Sequence, residues 1–203
     1  LDHGHIYGMV QNLKESGATI AKVYDRHEKR VEYFCKLFPE AEVVNSFDAL
    51  LNSSDIQMIA AAAVPSLRGP VGVEVMRHGK DYFTDKTPFT TMAQLDEARL
   101  VAASTNQIYA CCYSERVQCE SAEYAVQLIN DGAIGEVIQV IGLGPHRISA
   151  DQRPKWFFEK EKYGGIICDI GSHQAEQFLT FTGATDANIC LLYTSDAADD
   201  LLC

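Results

Sequence analysis

Asp169 and His173 stand four residues apart behind a glycine pair, in the run Gly164-Gly165-Ile166-Ile167-Cys168-Asp169-Ile170-Gly171-Ser172-His173. On a helix that spacing brings an acid and an imidazole to one face, where a single substrate can meet both. A carboxylate beside a histidine is suited to moving a proton at neutral pH, because the acid orients the ring and tunes a pKa already near the working range. The glycines let the backbone pass close to a ligand with no Cβ in the way. The same pair is also compatible with an ordinary solvated helix face, so the choice between the two readings rests on the elements around it.

Those elements begin upstream. Gly17-Ala18-Thr19-Ile20-Ala21-Lys22-Val23-Tyr24-Asp25 is a short apolar run with β-branched residues that ends in an acid. In a doubly wound α/β domain an acid at the end of the second strand receives the ribose hydroxyls of a dinucleotide. Asp25 is thus a cofactor candidate, and equally a helix N-cap before His27-Glu28-Lys29-Arg30. Asp25 repels a 2′-phosphate and so favours NAD, while Arg26 next to it offers NADP a partner. Residues 56–65 read as a buried strand that breaks at its proline, and 81–88 as another, with helical patterns at 70–78 and 92–104. Strand and helix alternate, which predicts a parallel sheet with crossover helices.

Asp85-Lys86-Thr87-Pro88 resembles the Glu-Lys-Pro signature of the Gfo/Idh/MocA oxidoreductases, with Asp85 in place of Glu and Thr87 ahead of Pro88. Gly164 to His173 resembles that family's second motif, and Asn130-Asp131-Gly132-Ala133-Ile134-Gly135-Glu136-Val137 is similar to the helix-to-strand entry of its second domain. The resemblance covers about residues 1–189. It implies a Rossmann-like parallel sheet lacking its first strand over 1–112, then a truncated α/β domain with an open, mainly antiparallel sheet over 113–189. It further implies hydride transfer between NAD(P) and a sugar, cyclitol or related alcohol. Carried over by position, Lys86 contacts the nicotinamide side and the reacting hydroxyl, His173 is the acid/base, and Asp169 orients substrate or histidine. The implied cofactor contacts are Gly4, Gly8, Asp25, Arg26, Pro65 and Lys86, with Gly4 as the phosphate-loop glycine and Gly8 as the close helix-packing position. Arg147 and Trp156 are the substrate candidates, one as a bidentate grip and one as a stacking face. Arg116 is a further contact.

Two other readings use different residues. His3 and His5, two apart, suit one metal ion in a metal-dependent hydrolase, but His27, His78 and His146 complete no ligand pattern, and no resident metal is expected. The fold could also bind nucleotide without turnover, as a regulator; Lys86 and the Asp169/His173 pair argue for catalysis.

Composition narrows the remaining classes. A net charge of −11 leaves no basic patch to release counterions from a nucleic acid. No apolar run reaches membrane-spanning length, and no secretory leader is read at the first residues. The seven cysteines show no paired CxxC spacing, Cys111 and Cys112 being adjacent. They read as thiols of a reducing cytoplasm. Residues 190–203 resemble a translated sequencing adapter and are expected to be a non-native tail. The chain is therefore read as a fragment truncated at both ends. The dehydrogenase activity is expected of its parent protein, as is homo-oligomerisation.

Overall fold

The computed structural model describes residues 1–190 of the 203. Of the tail expected at 190–203, all but Cys190 lies outside the described residues. Two compact units are present: Leu1–Cys112 together with Pro154–Gly164, and Tyr113–Arg153 together with the chain from Gly165 onward.

In the first unit helices and strands alternate: α1 (His5–Glu15), β1 (Lys22–Val23), α2 (Glu28–Leu37), β2 (Glu42–Val43), α3 (Phe47–Leu51), β3 (Met58–Ala61), α4 (Pro65–Arg77), β4 (Asp81–Asp85), α5 (Met92–Thr105) and β5 (Tyr109–Cys112). β1 pairs with β2, and β4 lies between β3 and β5, with every ladder parallel. This is the Rossmann-like α/β sheet that the alternation predicts. β1 and β3 are not paired with each other. An apolar cavity of about 130 Å³ separates them, lined among others by Ile6, Val10, Leu13, Val23 and Ile59. The sheet is open at the place where a first strand would lie.

The helices follow from local chemistry. α1 buries Ile6, Met9 and Val10, the helical stripe of its sequence. Pro65 starts α4 at its first position, where a missing N–H costs nothing. Pro70, further along, cannot donate to the Ser66 carbonyl four residues back; that oxygen accepts from Gln94 Nε2 instead, at 2.8 Å. Gln94 also accepts from the Thr90 N–H, while the Thr91 hydroxyl caps the start of α5 by accepting from Gln94 N. One glutamine thus ties two helix starts together.

α4 comes unusually close to the sheet at Gly72. A Cβ there would meet Tyr109 Cε2 at 2.3 Å and Tyr82 Cδ1 at 2.5 Å. Those rings belong to paired residues of β4 and β5 and stand edge to face, with centroids 5.1 Å apart. Gly72→Ala is therefore expected to overpack the core and lower stability by about 1–3 kcal/mol. A urea titration checks this: the midpoint falls at an unchanged slope. An unmoved midpoint would mean the tyrosine pair yields freely.

The second unit carries α6 (Ser114–Val117) and α7 (Glu120–Asn130). The 154–164 segment, which belongs to the first unit, carries α8 (Lys160–Tyr163) and ends on Gly164 at φ +88°, a conformation that favours glycine. In the second unit the chain then makes a π-helical turn, Ile167–Gly171, that runs into α9 (Ser172–Thr182). Among the described residues this unit has no strand, so the antiparallel sheet expected after 113 is not seen in them. Residues 136–149 have no regular structure, because a strand requires a ladder partner and no described neighbour offers one. Ile138, Ile141 and Leu143 are accordingly exposed.

Candidate active site

The chemistry of the first unit gathers at the carboxyl end of β4. Asp85 closes that strand, and Lys86 and Thr87 make the turn beyond it, with a cis peptide between them. All three are buried, and so is Arg68 of α4. The Arg68 guanidinium donates to the carbonyl of Ala63 at 2.7 Å, to that of Lys86, and to that of Thr87 at 3.4 Å; it also donates to Asp85 Oδ2 at 3.2 Å. A single rigid, planar fork holds the loop before α4 and the turn after β4. Lys86 owes its place to this arrangement.

His3 and His5 converge on the same carboxylate. His3 Nδ1 is 3.0 Å from Asp85 Oδ2, and His5 Nδ1 is 3.0 Å from Oδ1. Burial pushes the Asp85 carboxyl up, but the hydrogen bonds from His3 and His5 and the Arg68 charge outweigh it and hold the group well below the usual carboxylate range. Burial and the Asp85 charge together push the neighbouring Cys112 thiol up to about 11.

Gly4 is the N-cap of α1, with no side-chain cap on the helix, and a Cβ placed on it would meet nothing within 4 Å. Gly8 is exposed on α1, so it is not a close packing point against the sheet; it falls off the Ile6/Met9/Val10 stripe. Asp25 follows β1. Its carboxylate accepts from the His27 N–H at 2.8 Å, and Arg30 lies 3.6 Å away. The N-cap of α2 is His27, so Asp25 makes a turn just ahead of the helix and is not its N-cap. Arg26 is exposed and Pro65 is buried. Trp156 packs with Phe157 and lies 6.3 Å from His3, ring to ring.

In the second unit His173 sits in the first turn of α9 with only 2 % of its surface exposed. Its ring meets Tyr113 edge to face at 5.8 Å, and Nε2 is 3.8 Å from Glu115 Oε1. The same Glu115 oxygen pairs with His146 Nε2 at 3.2 Å. Asp169 lies on the π-turn, half-buried, its N–H donating to the Gly165 carbonyl at 3.0 Å. Arg147 is exposed, and Arg116 is held by Glu176 at 2.5 Å and Glu123 at 2.7 Å.

Lys86, Gly4, Gly8, Asp25, Arg26, Pro65 and Trp156 thus belong to the first unit, and Asp169, His173 and Arg147 to the second. Two residues that the sequence reading passed over are Arg68, which braces the Lys86 turn, and Glu115, the carboxylate beside His173. Nothing in local spacing marks Arg68, which lies 17 residues from its acid. Glu115 had a signal, since it sits next to Arg116 in the segment after the fifth strand.

Residues 5–113 match the family described as "Oxidoreductase family, NAD-binding Rossmann fold", and residues 123–199 match the "GFO/IDH/MocA C-terminal domain". Among curated proteins, the chain is similar to a D-xylose dehydrogenase of Paenarthrobacter nicotinovorans, with 23% identity over 153 residues, 73% of this chain and 39% of the relative. It is also similar to a scyllo-inositol 2-dehydrogenase (NADP(+)) of Bacillus subtilis, with 24% identity over 79% of this chain and 45% of the relative. The chain therefore spans less than half the length of either. A solved structure from Erwinia carotovora atroseptica SCRI1043 superposes with a TM-score of 0.87 at 42% identity, covering 92% of this chain and 56% of that one. The parallel β/α order, the motif around Lys86 and both domain matches lead to one conclusion: the chain belongs to the Gfo/Idh/MocA family of oxidoreductases, and its N-terminal part is the family's NAD-binding Rossmann domain.

Proposed function

We propose that the protein carrying this chain transfers a hydride between NAD(P) and a sugar, cyclitol or related alcohol. The observation that carries the reading is Lys86: a buried ammonium, fixed by the Arg68-braced turn at the carboxyl end of a parallel strand, where ligands of open α/β sheets bind. The xylose and inositol specificities of the two curated relatives support the substrate class.

The residues present fit a dinucleotide. An 11-residue helix that begins at an uncapped glycine, with open space around it, suits a pyrophosphate. Asp25, just after β1, is suited to accept ribose hydroxyls. The bound cofactor supplies the hydride chemistry itself. Each unit contributes its own part of the remainder. Lys86 places a fixed positive charge for the alkoxide that develops as the hydroxyl proton leaves. His173 takes that proton, with the Glu115 carboxylate 3.8 Å from its Nε2. Asp169 orients the substrate or the ring. Arg147 and Trp156 contact the sugar, and Gly4, Gly8, Asp25, Arg26 and Pro65 line the cofactor.

The test is nicotinamide reduction at 340 nm by the full-length protein over a panel of pentoses, hexoses and inositols. NADH and NADPH affinities are measured alongside for the wild type and Asp25→Ala. The expected outcome is turnover of at least one polyol, and a shift of cofactor preference toward NADPH by roughly tenfold in the variant, the size of one lost charge contact of about 1.4 kcal/mol. NADH and NADPH affinities that both ignore Asp25→Ala would remove this residue from the ribose. A protein that binds NADH but turns over none of the panel would favour the regulator reading.

A further inference from the structure

We infer that His3, His5 and Asp85 form a binding site for a divalent cation of the zinc class. One ligand atom from each side chain lies within 4.8 Å of the other two. Both histidines present Nδ1, each 3.0 Å from a different oxygen of the one carboxylate, and their rings stand edge to face with centroids 4.1 Å apart. Around a tetrahedral zinc, with metal–ligand distances near 2.1 Å, neighbouring ligand atoms are about 3.4 Å apart. The two histidine–carboxylate separations approach that value.

Two further observations bear on the site. Asp85 supplies a buried carboxylate, its side chain 1 % exposed. Arg68 holds Oδ2 at 3.2 Å. A cation bound through Oδ1 leaves that hydrogen bond in place, as the supporting contact a metal-ligating carboxylate usually carries. The guanidinium charge also opposes the cation, which makes this an exchangeable site and not a structural one. Imidazole with carboxylate selects zinc, cobalt or nickel over calcium. His5 is 42 % exposed, so the remaining coordination positions face water and are open to a small oxygen donor such as a carboxylate or phosphate. The histidine pair is visible in the sequence, and local spacing offers it no third ligand. Asp85 is that ligand, 80 residues away in the chain.

The site is tested by titrating the chain with Co²⁺, following visible absorption and the fluorescence of Trp156. That is the single tryptophan of the sequence, and its ring is 6.3 Å from His3. Expected are one equivalent bound, ligand-field bands of a nitrogen/oxygen site, quenching of Trp156, and displacement by Zn²⁺. His5→Ala, which removes an exposed ligand and spares the core, should weaken binding beyond the roughly 10- to 100-fold that loss of a supporting contact costs. Asp85→Asn should do the same where it folds. Absence of saturable binding would overturn the site and leave a plain hydrogen-bonded network. Binding that ignores His5→Ala would overturn it as well, since the cation would then lie elsewhere. The readout is binding, so the result stands apart from any dehydrogenase assay.

Discussion

His173→Ala is expected to lower turnover of the proposed polyol substrate by about 10²- to 10⁴-fold while leaving NADH affinity near the wild-type value. The expectation combines two features. His173 is almost wholly buried, so its imidazole is fixed by its surroundings, and it lies beside Glu115 at 3.8 Å. A base held in this way loses little entropy when a substrate arrives. The nucleotide contacts proposed above all belong to the first unit, and this substitution spares them. Steady-state kinetics with NADH fluorescence titration reads both quantities on one preparation. Glu115→Gln refines the assignment: it removes the carboxylate beside the ring at constant side-chain size, and kcat is expected to fall with NADH affinity unchanged. Turnover that survives His173→Ala would remove the base from this residue. A kcat unmoved by Glu115→Gln would remove Glu115 from its supporting role.

Arg68→Met destabilises the fold by about 3–5 kcal/mol, the cost of leaving a buried carboxylate without its cationic partner. Side chains of both residues are 1% exposed, so solvent does not screen the pair. The loss also frees three backbone carbonyls that the guanidinium now satisfies. Urea unfolding of the wild type, Arg68→Met and Arg68→Lys measures it. The lysine variant recovers charge but not the planar fork, so it is expected to fall between the other two. Adding Asp85→Asn to Arg68→Met should restore part of the stability, because the unpaired charge is then gone. A methionine variant as stable as the wild type would show that His3 and His5 alone neutralise Asp85.

The same carboxylate sets an acid limit. Its folded pKa lies below that of the unfolded chain, near 3.9. The stability it contributes is therefore complete at pH values well above 4, and is lost only as the pH falls toward the lower, folded value.

Several features could be read without coordinates. Alternation of β-branched runs with helical stripes is local information, and it produced the parallel α/β order of the first 112 residues. The Gly164–His173 motif carries its own signature because both of its leading glycines, at φ +88°, adopt backbone that other residues avoid. Others could not be read. Gly8 looked like a packing glycine by its spacing from Gly4, yet helical phase turns it outward from the Ile6, Met9 and Val10 face. The strand expected after residue 136 lacks a described partner, and ladder pairing is not a property of one segment.

The sequence by itself determined the order of elements, the family motifs and which residue types could move a proton or bind a nucleotide, since each of these depends on neighbours within a few positions. Tertiary structure alone decided what surrounds them: Arg68 under the Lys86 turn, Glu115 beside His173, and Asp85 between His3 and His5. Those contacts join residues 17 to 82 positions apart, and only the packing of crossover helices onto a parallel sheet, or of helices within the second unit, sets which distant side chains share a buried charge.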